Sequence, residues 1–278
     1  MGNRQRKYGT ITVVKKDQVA TITFLTRGKA ARGKPIPWEM SLALNDLRED
    51  TDVRVIVLTG SEGHFKIPRP KEVYHKEVIG PTDILTKDWY GAMGIMRCIM
   101  TMADMEKPIL AKVNGDAIGF GQSLAFGSDF IIAREDAKFL DHHMGGTFLA
   151  DYDGERKEGG HDFSIVPGDG GAALVPLFMS PCKAKEYLML AEPITAGELA
   201  RLGIINYAVP ADELDAKVDD FVRRLLQKGA YALAWTKRVV NKRLMQHLIL
   251  TMDAGIAYER VNFLHLEKLG GKEKKTFA

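Results

Sequence analysis

Short apolar runs alternate with helical segments along the first half of the chain. Ile11–Val14 and Val19–Leu25 alternate apolar and polar residues on either side of Lys15–Asp17, which predicts a β-hairpin. Val53–Leu58 and Ile109–Val113 are apolar at every position but one in each run, Arg54 and Lys112, which is typical of strands with both faces buried. The chain is therefore expected to begin as a strand-rich core.

Helical periodicity fills the intervals between these strands. Leu42, Leu44 and Leu47 form an apolar face behind Pro37, which suits the first turn of a helix. A second helical pattern covers roughly Asp83–Met105. Strands that alternate with helices predict an α/β fold with a mostly parallel sheet covered on both faces.

The pattern becomes helical beyond Gly170. The predicted helices are Ala172–Met179, Lys183–Leu190, Ala196–Leu202, Leu214–Lys228 and a long run around Ala232–Leu269. We expect a core domain over residues 1–209 and a C-terminal helical region over residues 210–278. A region this short has to pack on its own core or on a neighbouring subunit.

Composition narrows the class of protein. Of the 278 residues, 45% are hydrophobic and 27% are charged, which is typical of a soluble globular protein, and the net charge of +3 is too small to indicate a nucleic-acid partner. The polar N-terminus lacks a secretory signal, and no apolar run is long enough to span a bilayer. The two cysteines, Cys98 and Cys182, form no disulfide framework, so we expect a cytoplasmic protein without a membrane partner.

The first candidate site is the glycine-rich turn that follows Ile109–Val113. Gly115, Gly119 and Gly121 permit a tight turn, and the next residues are compatible with a helix. The backbone N–H of Phe120 would then lie at the positive end of a helix dipole, where it could stabilise an oxygen that becomes anionic. The alternative is a corner whose glycines serve packing alone.

The second candidate is the turn Ile67-Pro68-Arg69-Pro70. Both prolines lack an N–H, whereas Arg69 between them retains one. If this turn faces the Gly119 corner, the N–H groups of Arg69 and Phe120 converge on one oxygen. The alternative is a rigid surface turn.

The third candidate is Asp169, in the turn Ile165-Val166-Pro167-Gly168-Asp169-Gly170-Gly171. An acid there could be the N-cap of the next helix, or a general base or nucleophile beside a pocket. His161 lies upstream, and the pair His142 and His143 follows Asp141. Their spacing matches no metal-ligand pattern, so no metal site is predicted.

Taken in this order, the three segments resemble the crotonase (enoyl-CoA hydratase/isomerase) superfamily. Its most specific string here is Lys107-Pro108-Ile109-Leu110-Ala111-Lys112-Val113-Asn114-Gly115, followed by Gly119-Phe120-Gly121 and Ser128-Asp129-Phe130-Ile131-Ile132-Ala133. The resemblance implies a spiral core of repeated ββα units and C-terminal helices that trimerise, giving a homotrimer or hexamer. It also implies that two backbone N–H groups, which match those of Arg69 and Phe120, stabilise an enolate.

The resemblance further implies a role for basic residues. Family members hold the phosphates and adenine of coenzyme A with basic residues in the loop after the second strand, a place taken here by Arg27 and Lys29. Coenzyme A would be part of the substrate, and no separate cofactor is implied.

The chain departs from hydratases at two positions. Ser123 stands where hydratases place one catalytic Glu, and their second Glu falls near His143. The segment Met144–Asp162 is also longer than the typical connection, and long loops in compact domains are often functional. Addition of water by paired glutamates is therefore not expected.

One branch of the superfamily is more similar. The string Ser164-Ile165-Val166-Pro167-Gly168-Asp169-Gly170 is close to that of 6-oxocamphor hydrolase and related β-diketone hydrolases. These enzymes use an Asp at the position of Asp169, a His shortly upstream and a Glu in the C-terminal helix. His161 and Glu259 are the nearest matches.

The resulting hypothesis is hydrolytic (retro-Claisen) C–C cleavage of a β-dicarbonyl substrate. Asp169, alone or with His161, would activate water, with His143 and Glu259 as further candidate catalytic residues. One alternative is an enoyl-CoA hydratase or isomerase acting on an acyl-CoA thioester. The other is a catalytically inactive binding protein on the same fold.

Overall fold

A computed structural model describes residues 8–25, 35–66, 89–145, 149–150, 156–157 and 164–268. The strands of these residues are β1 (Ile11–Lys16), β2 (Val19–Phe24), β3 (Val55–Gly60), β4 (Phe65–Lys66), β5 (Ile109–Val113), β6 (Ala117–Ile118), β7 (Phe130–Arg134), β8 (Lys138–Leu140), β9 (Leu149–Ala150), β10 (Arg156–Lys157), β11 (Ile194–Thr195) and β12 (Tyr207–Val209). The helices are α1 (Ile36–Glu49), α2 (Trp89–Asp104), α3 (Phe120–Phe126), α4 (Gly171–Phe178), α5 (Pro181–Leu190), α6 (Ala196–Arg201), α7 (Leu214–Leu226) and α8 (Ala230–Lys268).

The main sheet has six strands in the order β1-β2-β3-β5-β7-β12. The predicted hairpin is confirmed: β1 and β2 pair antiparallel, and the two-residue turn Asp17–Gln18 has positive φ at both positions, which suits the strand twist. The remaining pairs are parallel. Both faces are covered, so β3 is buried along its whole length, as its apolar run predicted.

A second sheet, in the order β11-β8-β6-β4, was not predicted. β4 and β6 are two residues long and pair in parallel, with Phe65 opposite Ala117 and Lys66 opposite Ile118. Strands this short carry no readable periodicity. This sheet sets the end of β4 beside the end of β6, where the glycine-rich turn of the candidate site begins.

The core lies between the main sheet and its helices. Pro37 is in the first turn of α1, as predicted, and Leu44 and Leu47 of that helix are fully or almost fully buried. The second predicted helix forms α2, which buries Cys98, Ile99 and Met102, although the beginning of the predicted helix lies outside the described residues.

The long helix α8 is fixed to the core at its N-terminal half. Lys237, 8% exposed, lies 2.7 Å from the carboxylate of Asp129 and donates to the carbonyl of Lys107 at 3.0 Å. The predicted domain boundary near residue 209 stays a prediction. Among the described helices, none has the length and apolar character needed to cross a membrane.

Candidate active site

The first turn of α3 lies at the centre of the site. Its N-cap, Gly119, has φ +56° and ψ −125°, a conformation that L side chains rarely adopt. A Cβ at Gly119 would lie 2.3 Å from Cε1 of His142, so that ring occupies the space of the missing side chain. Phe120 is the first helical residue, and its N–H therefore points out of the helix end, as predicted.

The end of β4 lies beside this helix end. Gly121 packs so closely on β4 that a Cβ there would be 2.2 Å from the carbonyl oxygen of Phe65. The chain leaving Lys66 therefore starts next to the first turn of α3. Arg69 follows three positions later and lies outside the described residues.

Asp169 lies in the turn before α4 and is 7% exposed. The N-cap of α4 is Gly170, with φ +113°, so the alternative that Asp169 is the N-cap residue is wrong. A Cβ at Gly170 would meet the side chain of Ser123 at 3.0 Å. This close approach places Asp169 against α3, where Ser123 Oγ donates to its Oδ1 at 3.5 Å.

His143 lies between two carboxylates. Its Nδ1 is 2.6 Å from Oδ1 of Asp141, and its Nε2 is 3.6 Å from Oδ2 of Asp169. The backbone N–H of His143 also donates to Asp141 at 3.1 Å, which holds the carboxylate in place. An Asp at Nδ1 fixes the orientation of an imidazole and leaves Nε2 for proton transfer.

Two buried side chains hold Asp141 from its other side. Gln122 Nε2 donates to Oδ2 of Asp141 at 3.0 Å, and the hydroxyl of Tyr187 donates to the amide oxygen of Gln122. Gly171 leaves room for this carboxylate, since a Cβ there would lie 1.9 Å from Asp141 Oδ2. Asp141, Gln122 and Tyr187 are at most 2% exposed.

Glu259 reaches the same cluster from α8. It is 7% exposed, and its Oε2 lies 2.6 Å from the position of a Cβ at Gly168, next to Asp169. Burial raises the pKa of Glu259 to about 7, with His143 opposing that shift and Asp169 adding to it. A carboxyl with this pKa exchanges protons near neutral pH.

The charge of His143 is set by its neighbours. Burial by itself would lower the pKa of His143, but the carboxylates of Asp169 and Asp141 outweigh it and raise this pKa to about 10. At neutral pH the cluster therefore holds an imidazolium between two carboxylates, with a proton-exchanging Glu beside it.

One atom each of Asp141, His143 and Asp169 lies within 4.8 Å of the others, a donor set that some metal ions accept. However, Nδ1 of His143 is hydrogen-bonded to Asp141, and Nε2 faces the second carboxylate. A metal would have to displace a proton from between these groups. The arrangement suits proton transfer better than metal binding, and the absence of a metal stays a prediction.

The structure thus brings together three of the four predicted catalytic residues: Asp169, His143 and Glu259. The predicted partner of Asp169, His161, lies outside the described residues, as do Arg27 and Lys29 and most of the long segment after Met144. Within the described residues His143 takes the place beside Asp169.

Gln122 and Tyr187 were missed by the sequence analysis. Gln122 adjoins the glycine turn, which is a weak signal, whereas nothing in the sequence connects Tyr187 with the site. Asp141 was noted beside the histidine pair but was not assigned a role.

Comparison with known proteins agrees with this architecture. The family profile described as Enoyl-CoA hydratase/isomerase matches residues 15–152 and 158–268. The chain is 28% identical over 232 residues to a crotonyl-CoA hydratase of Syntrophomonas wolfei, covering 83% of this chain and 81% of that protein.

Two solved structures share the fold. An enoyl-CoA hydratase/isomerase from Mycobacterium paratuberculosis superimposes with a TM-score of 0.75 at 25% identity, covering 92% of this chain and 94% of that one. A β-diketone hydrolase from Anabaena sp. PCC 7120, bound to (S)-3-oxocyclohexyl acetic acid, has a TM-score of 0.76 at 20% identity, covering 95% and 100%. With the profile match over most of its length, the chain belongs to the enoyl-CoA hydratase/isomerase family, the crotonase superfamily of enzymes.

Proposed function

We propose that this enzyme hydrolyses a C–C bond between two carbonyl groups of a β-dicarbonyl substrate. The observation that carries the proposal is the pair formed by Asp169 and His143 beside the first turn of α3. That pair provides a base for water, and the α3 N-terminus provides a donor for an enolate oxygen.

The reaction consumes one water. One substrate oxygen accepts hydrogen bonds from the N–H groups of Phe120 and Arg69. Water adds to the other carbonyl carbon as the Asp169–His143 pair takes its proton. The C–C bond then breaks, its electron pair passes into the first carbonyl as an enolate, and the second carbonyl leaves as a carboxylic acid. A proton from Glu259 returns to the enolate carbon.

The protonation states of the cluster at neutral pH support this order of reaction steps. Glu259, with a pKa of about 7, is partly protonated at neutral pH and can act as the acid. Asp141 keeps the His143 ring oriented and compensates the charge of its imidazolium, so the carboxylate of Asp169 is the group that accepts the proton from water. Two carboxylates in different surroundings therefore take different roles.

The ligand of the Anabaena enzyme suggests a test substrate. One ring carbon beside the ketone of 3-oxocyclohexyl acetic acid lies opposite the carbon that bears the side chain. Joining the acid carbon to that ring carbon, with loss of water, gives bicyclo[2.2.2]octane-2,6-dione. Hydrolysis of this diketone would give back the keto acid with one added water. It is a defined compound in which C–C cleavage has a single expected product.

The second candidate function is hydration or isomerisation of an enoyl-CoA thioester. The family match and the crotonyl-CoA hydratase relative favour it. In that case Asp169 or a histidine would be the single acid/base, and Arg27 and Lys29 would hold the coenzyme A. A family scaffold that only binds its ligand would turn over neither substrate.

The exposed apolar side chains of α8 support the proposal of a homotrimer or hexamer. Tyr231, Trp235 and Leu250 are each at least half exposed in the single chain. Apolar patches of this kind mark interaction surfaces.

The test uses the bicyclic diketone and crotonyl-CoA in ¹⁸O-labelled water. C–C hydrolysis places the label in a new carboxylate, whereas hydration places it in a hydroxyl and removes the enoyl-thioester absorbance. We expect labelled carboxylate from the diketone, and none from Asp169→Asn. Hydration of crotonyl-CoA without diketone cleavage would establish the second function, and turnover of neither would contradict the first.

A further inference from the structure

We infer that Tyr187, Gln122 and Asp141 form a hydrogen-bonded relay that positions His143 for proton transfer. The inference rests on the proposed function for the role of His143 itself. It assigns positioning roles to two residues, Tyr187 and Gln122, that touch no reacting atom.

The direction of every hydrogen bond in the relay follows from one acceptor. The carboxylate of Asp141 accepts from the backbone N–H and Nδ1 of His143 on one side, and so its other oxygen faces the NH₂ of Gln122 at 3.0 Å. The amide oxygen of Gln122 then faces Tyr187, whose hydroxyl must donate. A flipped amide would set its oxygen against the carboxylate of Asp141, so Asp141 fixes the orientation of Gln122, and the Tyr187 hydroxyl stabilises that orientation by donating to the amide oxygen.

These hydrogen bonds also determine the orientation of the His143 ring. Because Asp141 is held by Gln122, its Oδ1 keeps the proton on Nδ1 of His143 and turns Nε2 toward Asp169. The relay runs from α5, which carries Tyr187, through α3 to the turn after β8. Three hydrogen bonds therefore separate Tyr187 from His143.

Burial makes the relay sensitive to each member. Tyr187 is 2% exposed, Gln122 and Asp141 are 0% exposed, and His143 is 4% exposed, so water cannot easily replace a lost partner. Within the described residues, the charged groups that face His143 are Asp141 from the turn after β8, Asp169 from the turn before α4, and Glu259 from α8. The uncharged relay members, Gln122 and Tyr187, determine the position of the Asp141 carboxylate.

A purely structural explanation is available, because a buried hydroxyl and a buried amide need partners wherever they lie. The two explanations differ for a double variant. Tyr187→Phe/Gln122→Met removes the hydroxyl and the amide together and leaves neither of them unpaired, so its loss of stability should be smaller than the sum of the losses in the two single variants. It does not restore the donor to Asp141.

The experiment measures stability, turnover and the titration of His143 by NMR in both single variants and the double variant. We expect the double variant to unfold at a temperature no lower than that of Gln122→Met, because both variants leave Asp141 without this donor, and we expect its kcat to be lowered about tenfold or more with KM little changed. Its His143 resonances should titrate with a pKa displaced from that of the wild type. The matched control is Ser128→Ala, which removes another buried hydroxyl, one that donates to the carbonyl of Leu124 at 2.8 Å. This variant should keep the wild-type kcat and His143 titration, and at most its stability should be lower.

A double variant with wild-type kcat and an unmoved His143 titration would overturn the relay. The titration is measured without substrate, so it also separates this inference from the proposed function. If wild-type enzyme cleaves no diketone but the double variant shifts the His143 titration, the relay stands and the reaction assignment fails. If the wild-type enzyme cleaves the diketone and the double variant changes neither kcat nor the His143 titration, the reaction assignment stands and the relay fails.

Discussion

His143 Nε2 lies 3.6 Å from Oδ2 of Asp169, just beyond hydrogen-bond distance, whereas Nδ1 of the same ring is 2.6 Å from Asp141. One side of the imidazole therefore makes a short contact with Asp141, and the other faces the second carboxylate at a longer distance. Catalytic hydrogen bonds are often long in the unliganded enzyme and shorten with substrate. The Asp169 side is thus where we expect proton transfer.

Asp169→Asn should abolish most turnover without unfolding the protein. The amide has nearly the same shape, but it cannot take a proton from water. We expect kcat to fall by about three orders of magnitude or more, measured on whichever substrate the labelled-water experiment identifies. Asp136→Asn, at an exposed ion pair with Arg134, is the control and should retain full activity. Activity of Asp169→Asn near that of the wild type would contradict the assignment.

Activity should fall as the pH rises through about 7, because Glu259 must carry a proton to act as the acid and its pKa is about 7. Glu259→Gln should lower kcat and remove this alkaline limb from the pH–rate profile. A limb that persists unchanged in Glu259→Gln would show that another group titrates there.

The same shift makes a prediction for stability. The folded pKa of Glu259 is raised above the ordinary value of 4.5, so folding favours its neutral form. Its contribution to stability is present below pH 4.5 and is lost as the pH rises toward 7. At pH 8 the variant Glu259→Gln should therefore unfold at a higher temperature than the wild type, while at pH 4 the two should be similar. An equal difference at both pH values would contradict the raised pKa.

Gly119→Ala should impair both folding and turnover. The backbone there has φ +56°, and the new Cβ would lie 2.3 Å from the ring of His142. We expect a loss of about 1–3 kcal/mol of unfolding free energy from strain alone, and a lower kcat because the N–H of Phe120 is displaced. Thermal unfolding and steady-state kinetics measure the two effects.

Gly203→Ala separates strain from site geometry. Gly203 also has positive φ, +71°, but among the described residues no atom lies within 4 Å of the Cβ position. Stability should decrease, and kcat should not. If Gly119→Ala behaves in the same way, the helix end does not contribute to catalysis.

Lys237→Met should destabilise the fold strongly. It leaves Asp129, whose carboxylate also accepts from the backbone of Ile109 at 2.7 Å, buried without its ammonium partner. Loss of one member of a buried pair costs about 3–5 kcal/mol, measured by denaturant unfolding. The double variant Lys237→Met/Asp129→Asn should recover part of that loss, and no recovery would indicate that the cost comes from packing of the lysine chain.

The sequence predicts the main sheet and most helices because their apolar patterns are long. The strand β3 is buried at every position and β5 at every position but Lys112, and the hairpin before them alternates regularly. The second sheet could not be predicted in this way, because a two-residue strand such as β4 or β6 has no pattern of its own and is defined by pairing. Tertiary register, not local propensity, creates it.

The residues of the site also differ in whether local sequence or tertiary packing reveals them. Asp169 and Phe120 follow from local turn chemistry, and each lies in a glycine-rich segment that the sequence displays. The pairing of Asp169 with His143 depends on how the turn before α4 packs on the segment after β8. Tyr187 approaches from a separate helix, and only the folded chain brings its hydroxyl to Gln122.

The contact between Gly168 and Gly255 has a consequence for how this enzyme can vary. A Cβ at Gly168 would lie 2.5 Å from the carbonyl oxygen of Gly255, so the Asp169 turn rests directly on the α8 backbone. One residue inserted between Lys237 and Gly255 would rotate everything after it by about 100° around the helix axis. Glu259 would leave the cluster while the anchor at Lys237 stayed in place, and length changes in this part of the helix are therefore incompatible with an intact proton donor.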